Sequence, residues 1–105
     1  MNKAIKAKWI RALRSGKYRQ ARMALRCVRR DGPTYCCLGV LCNVIDPKGW
    51  EKDIGGVWHG CAGELYLKDR DPIGLSADHQ RKLVKLNDND RATFGVIARW
   101  IEENL

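Results

Sequence analysis

Apolar side chains at Ile5, Trp9, Ala12 and Leu13 recur at the three- and four-residue steps of a helix, with Lys3, Lys8, Arg11 and Arg14 on the other side. The pattern predicts a helix over residues 3 to 14. Ser15-Gly16 then supplies a stop, because glycine just beyond a helix takes the left-handed conformation that closes it. The same period returns from Lys17 to Arg29, with Tyr18, Ala21, Ala24, Leu25 and Val28 facing inward and Arg19, Arg22, Arg26 and Arg29 facing outward. Two helices joined by a tight turn make an antiparallel hairpin.

Asp31-Gly32-Pro33 breaks the pattern, and the apolar run "TYCCLGVLCNVI" follows. Periodicity fits both a buried helix through Cys37, Val40, Leu41 and Val44 and a short strand over Thr34 to Cys37; we expect an extended lead and then a helix from about Leu38 to Ile45. Asp46-Pro47-Lys48-Gly49 ends it. Between residues 50 and 67, Gly55-Gly56 can turn a hairpin, with Val57 to Trp58 and Leu65 to Leu67 as short strands. Ser76 reads as an N-cap, with Asp78 in the first turn of a helix that places His79, Leu83 and Leu86 on one face. In "NDND", Asp90 is placed to cap the last helix, whose apolar stripe is Phe94, Ile97, Ala98, Ile101 and Leu105, with Val96 and Trp100 off it. At 105 residues without an internal repeat or linker, the expected architecture is α+β. It is one small, mainly helical domain over residues 1–105, with an N-terminal helical hairpin and a minor β element.

Charge changes the picture from fold to partners. Residues 1 to 30 carry eleven Lys or Arg and no carboxylate, while the remainder holds nine positives against twelve acids, so the net charge of +8 is concentrated at one end. Such polarity attracts nucleic acid, nucleotides or an acidic protein face. No i,i+4 acid offsets the arginines of the second predicted helix, a repulsion that argues for an external partner. The candidate contact residues are Arg11, Arg14, Arg19, Arg22, Arg26, Arg29 and Arg30, since guanidinium forks bind phosphate and carboxylate bidentately. Sequence-specific DNA reading is disfavoured, because a stripe of Arg along a helix suits backbone contacts rather than base edges.

The segments "WIRALRSGKYRQ", "YCCLGVLCNVI", "YL", "KLNDND" and "TFGVIARWIE" occur in the order and spacing of a family of small proteins from bacteriophages and mobile elements, which the chain resembles over nearly its whole length. The central "CCLGVLC" is the specific part. The resemblance implies a phage accessory protein and carries no activity or catalytic residue with it. The basic segment "RQARMALRCVRR" departs from the more mixed composition of that family.

Other chemistry is thinly represented. Cys36, Cys37, Cys42, His59 and Cys61 are ligand types for zinc, yet no C-x2-C pair is present, and cysteines in a Leu-Gly-Val-Leu context behave as small buried hydrophobes. No metal and no cofactor is therefore expected. Cys61 and His59 could form a nucleophile pair but lack a third group to orient the imidazole. Phosphate-loop, dinucleotide and H-E-x-x-H patterns do not occur, so no catalytic residue is assigned and a non-enzyme is expected. The longest apolar stretch, Cys36 to Cys42, is far short of the roughly 20 residues of a membrane span. Lys and Arg interrupt every place an export h-region would need, so a reduced, cytoplasmic setting and no membrane partner are expected. The functional expectation is a non-enzymatic inhibitor of a host defence system or host enzyme, anti-CRISPR-like in strategy. It would bind an acidic protein surface or a nucleic-acid or nucleotide target through its Arg-rich second helix, the partner being a host protein or protein–nucleic-acid complex, or nucleic acid directly. The alternative is a non-sequence-specific nucleic-acid-binding module in phage replication or packaging.

Overall fold

The computed structural model describes residues 1–60 and 73–105. Helix α1 runs Lys3–Arg14, capped by the Asn2 side chain, which accepts from the Ile5 N–H. Its stripe turns Trp9 and Leu13 fully inward and leaves Lys3, Lys8, Arg11 and Arg14 exposed, as the period required. Gly16, at φ +75°, closes it.

The second helix does not form. Residues 17–25 run without regular structure, and β1 (Arg26–Arg29) then pairs antiparallel with β2 (Gly32–Tyr35) through a two-residue loop at Arg30-Asp31. A helix here would stack four arginines at three- and four-residue steps with no acid among them. The extended course separates them and finds better partners for the backbone. The Ala21 N–H donates to Tyr35 O at 2.7 Å, and the Tyr35 N–H donates to Arg19 O at 2.9 Å, so residues 19–21 cover the outer edge of β2.

Helix α2 (Cys37–Ile45) buries every residue from Cys37 to Cys42, which makes it the centre of the molecule rather than a half-exposed layer. The Cys36 side chain caps it by accepting from the Gly39 N–H, and Asp46-Pro47 ends it. Against α2 pack α1 and α3 (Ala77–Val84, capped by Ser76), and α4 (Phe94–Asn104) packs on α1, with Trp9, Leu13, Leu83, Ile97 and Ile101 in one core. The Trp9 indole N–H donates to Cys37 O at 2.9 Å, which satisfies a buried polar atom and fixes α1 against α2. Between α3 and α4, Lys85–Asn89 form a π-helical turn. Thr93, not Asp90, caps α4, since its hydroxyl lies nearer the free N–H of Val96. Trp100 sits at the core edge, edge-on to His79.

A second small hairpin joins β3 (Glu51–Lys52) to β4 (Trp58–His59). Here Trp58–His59 pairs back onto Glu51–Lys52, while the expected strand over Leu65 to Leu67 lies outside the described residues. The α+β class is as expected, and among the described residues no helix is long and apolar enough to cross a membrane.

Gly39 shows how tightly α2 meets the chain that precedes β1. A Cβ there would overlap the carbonyl oxygen of Leu25 and lie 2.9 Å from its carbon. Helix propensity alone would favour alanine by about 1 kcal/mol. The obstacle is backbone, so the overlap dominates, and Gly39→Ala is expected to destabilise the fold by about 3 kcal/mol, read as a lower urea midpoint at unchanged slope.

Candidate functional site

The chain between Tyr18 and Leu25 lacks a ladder of its own and is held by side chains from far along the sequence. Asn87, fully buried in the π-helical turn, accepts at Oδ1 from Gln20 Nε2 (2.9 Å) and from the Cys37 N–H (3.2 Å). Its Nδ2 donates to Ala21 O at 2.9 Å and to Asp88 Oδ1 at 2.8 Å. Asp88 Oδ1 in turn accepts from the Met23 N–H at 2.9 Å. Arg22 completes the clasp by donating to the carbonyls of Asn87 and Arg91.

The clasp holds Met23 at φ +65°, a left-handed conformation that costs a non-glycine residue about 1–2 kcal/mol. Its side chain is 79% exposed. Met23 thus combines a left-handed backbone with a solvent-exposed apolar side chain.

Beyond Met23 the wall continues through Ala24, Leu25, Arg26, Cys27 and Val28, and it faces Lys52, Gly56, Val57, Trp58 and His59 of the second hairpin across a cleft of about 510 Å³. Arg26 lies across the aromatic floor. Its guanidinium carbon is 4.3 Å from the Trp58 ring centroid, 5.5 Å from that of Trp50 and 5.9 Å from that of Tyr35. These rings are themselves fixed: Trp50 Nε1 donates to Asn43 Oδ1 at 3.0 Å, and Asn43 Nδ2 donates to the Tyr18 hydroxyl at 2.9 Å. Among the described residues Arg26 meets aromatic rings rather than a carboxylate, and its buried Nε has no hydrogen-bond partner there. Lys52 Nζ lies 5.8 Å from the same Trp58 ring.

The second hairpin is built on Asp53. Its Oδ1 accepts from the Gly55 and Val57 N–H groups, and its Oδ2 lies 2.8 Å from His59 Nε2. The His59 contact, more than those backbone donors, holds the Asp53 carboxyl below its ordinary range.

The candidate arginines do not share a ridge. Arg11 and Arg14 line a groove between α1 and α4, where Arg14 meets Glu102 Oε2 at 2.8 Å. Arg19 pairs with Asp31, and the Arg19 hydrogen bond keeps that carboxyl below its usual range. Both pairs are exposed and contribute little. Arg22 is spent on the clasp, Arg29 and Arg30 stand exposed at the end of the first hairpin, and only Arg26 enters the cleft. Met23, Lys52, Trp58 and Asn87 were not singled out by charge or spacing. A signal for Asn87 lay in the segment "KLNDND".

The thiols divide by burial. Desolvation pushes Cys36 up to about 11, against smaller opposing help from backbone N–H groups, and raises Cys37 as well. Cys37 Sγ sits 3.6 Å from Leu83 O. Among the described residues no group of three or more His, Cys, Asp or Glu is placed to hold a metal ion, and Cys61 lies outside them, as therefore does its pairing with His59. Cys27 lines the cleft half-buried, yet no hydrogen bond joins it to His59 among the described residues. In the native protein, a neutral aromatic disulfide reagent is expected to modify Cys27 rapidly, whereas Cys36, Cys37 and Cys42 react only on unfolding. Peptide mapping of the labelled thiols checks this.

The family model described as "Domain of unknown function (DUF8296)" matches residues 1–58. That span covers α1, the Met23 segment, both hairpin strands of the first pair, α2 and the start of β4. No curated protein and no solved structure matches the chain. With more than half of its length matched, the chain belongs to the family of the DUF8296 domain of unknown function.

Proposed function

We propose that this protein is a non-enzymatic binding protein that takes an acidic segment of a partner protein in the cleft between Met23–Val28 and the second hairpin. In a phage-borne setting its role is inhibition of a host defence system or host enzyme by occlusion. The observation that carries this reading is the cleft's composition: among the described residues its lining includes Arg26, Lys52 and His59 and no carboxylate. Opposite charge on a partner would steer encounter and fix orientation. Trp58 and the exposed Met23 supply the apolar and aromatic area that dominates interface energetics. The engagement of His59 by Asp53, with no hydrogen bond from His59 to Cys27 among the described residues, favours binding over covalent chemistry at the site.

A second reading has one observation in its favour. Lys3, Lys8 and Arg11 lie exposed on α1 and make no ion pair among the described residues, a disposition suited to a phosphate backbone. In that case the chain is a nucleic-acid-binding module for replication or packaging.

Two pairs of charge reversals separate the readings. Capture from nuclease-treated host lysate, followed by titration of the purified captured protein, is expected to fail with Arg26→Glu/Lys52→Glu and to persist with Lys8→Glu/Arg11→Glu. The opposite pattern, with duplex affinity falling as about the second to third power of salt, would establish the nucleic-acid module instead.

A further inference from the structure

The register of the first hairpin determines which backbone groups of β1 are spoken for. With Arg30-Asp31 as a two-residue loop, Arg29 and Gly32 form the hydrogen-bonded pair beside it, and the pairs alternate from there. Cys27–Thr34 is again bonded, while Val28–Pro33 and Arg26–Tyr35 are not. Two independent features agree with this parity. Pro33, which has no N–H to give, stands at an unbonded position, and Tyr35 turns its N–H and C=O away from β1 to meet Arg19 and Ala21 on the far side.

By the same alternation, Arg26 and Val28 turn their N–H and C=O groups out of the other edge of β1. No described residue bonds them. That edge borders the cleft: the consecutive residues Met23 to Val28 all line it, as expected of a chain presented edge-on, since side chains alone would alternate in and out. Edge strands in proteins are ordinarily blunted by a covering segment, proline or inward charge. The edge of β2 is covered by residues 19–21, whereas among the described residues no backbone group bonds the edge of β1 beside β4.

Resting on the acidic-partner reading above, we propose that an extended segment of the partner protein adds to this edge as a further strand. Its alternate side chains are acidic and apolar. The acidic ones meet Arg26 and Lys52, and the apolar ones meet the exposed Met23 and Val57. Main-chain pairing supplies affinity and the alternation supplies selectivity, the division of labour of strand addition. Arg26 is suited to its part because its guanidinium lies over the Trp58 ring and makes no ion pair among the described residues.

The test uses the full chain and a fluorescein-labelled peptide of alternating glutamate and valine, with binding read by anisotropy. Val28→Pro removes an outward N–H and no rung of the first hairpin, and is expected to weaken binding about ten-fold or more, with thermal melting close to the parent's. The same peptide N-methylated at alternate residues leaves the protein untouched and is expected to lose binding likewise, so the test stands even if Val28→Pro misfolds. Arg26→Glu and Lys52→Glu are each expected to weaken the unmodified peptide, and a lysine–valine peptide is expected not to bind. If N-methylation and Val28→Pro leave affinity unchanged while Arg26→Glu abolishes it, strand addition is overturned and the acidic-partner reading survives. Indifference to Arg26→Glu and Lys52→Glu removes both. Failure of the glutamate–valine peptide to bind, or its displacement by an oligothymidylate that is indifferent to Val28→Pro, overturns strand addition.

Discussion

One buried carboxamide, that of Asn87, ties residues 20–21 and Cys37 to the π-helical turn. Asn87 has two donor protons and two acceptor lone pairs, and the fold uses all four: Gln20, Cys37, Ala21 and Asp88 each take one. An unpaired amide in this fully buried position would cost about 1–3 kcal/mol per orphaned group, so each bond is less a gain than the removal of a penalty. The π-helical turn is what makes the arrangement possible, because its wider loop sets Asn87 inward and leaves Asp88 beside Met23.

From that node the functional surface follows in steps. The clasp fixes residues 20–23, so they cannot relax into a helix, and Met23 is held left-handed with its side chain in solvent. The chain then passes over Gly39 with no room for a Cβ and enters β1, which brings Arg26 over the aromatic floor made by Trp58, Trp50 and Tyr35. Charge that in sequence looked like a ridge is thereby redistributed. Part of it is paired with Glu102 and Asp31, part is used on backbone carbonyls, and the Arg26 guanidinium lies over the aromatic rings of the cleft with no ion pair among the described residues.

The elements that buried an apolar stripe were legible in sequence. Trp9 and Leu13 in α1, the unbroken apolar run of α2, the Ser76 cap of α3 and the stripe of α4 all lie where periodicity placed them. The second helix misled because Tyr18, Ala21, Leu25 and Val28 do recur at helical steps, yet their environment is supplied by Tyr35, Asn43 and Asn87 from distant parts of the chain. No local pattern encodes that competition, and tertiary hydrogen bonds outweighed propensity. The cleft was illegible for the same reason, since its two walls meet only after the "LND" of residues 86–88 has reached back to residues 20–23.

Native-state hydrogen exchange followed residue by residue tests the role of Asn87 most directly, in the parent and in Asn87→Ser. In the parent, the amides of Ala21, Met23 and Cys37 should open together with the global unfolding free energy. In the variant, Ala21 and Met23 should exchange through a far cheaper local opening while Ile97 and Ile101 in α4 keep their protection. If Ala21 and Met23 already exchange freely in the parent, or keep full protection in Asn87→Ser, the Met23 wall is not held by this carboxamide and the account of the cleft fails.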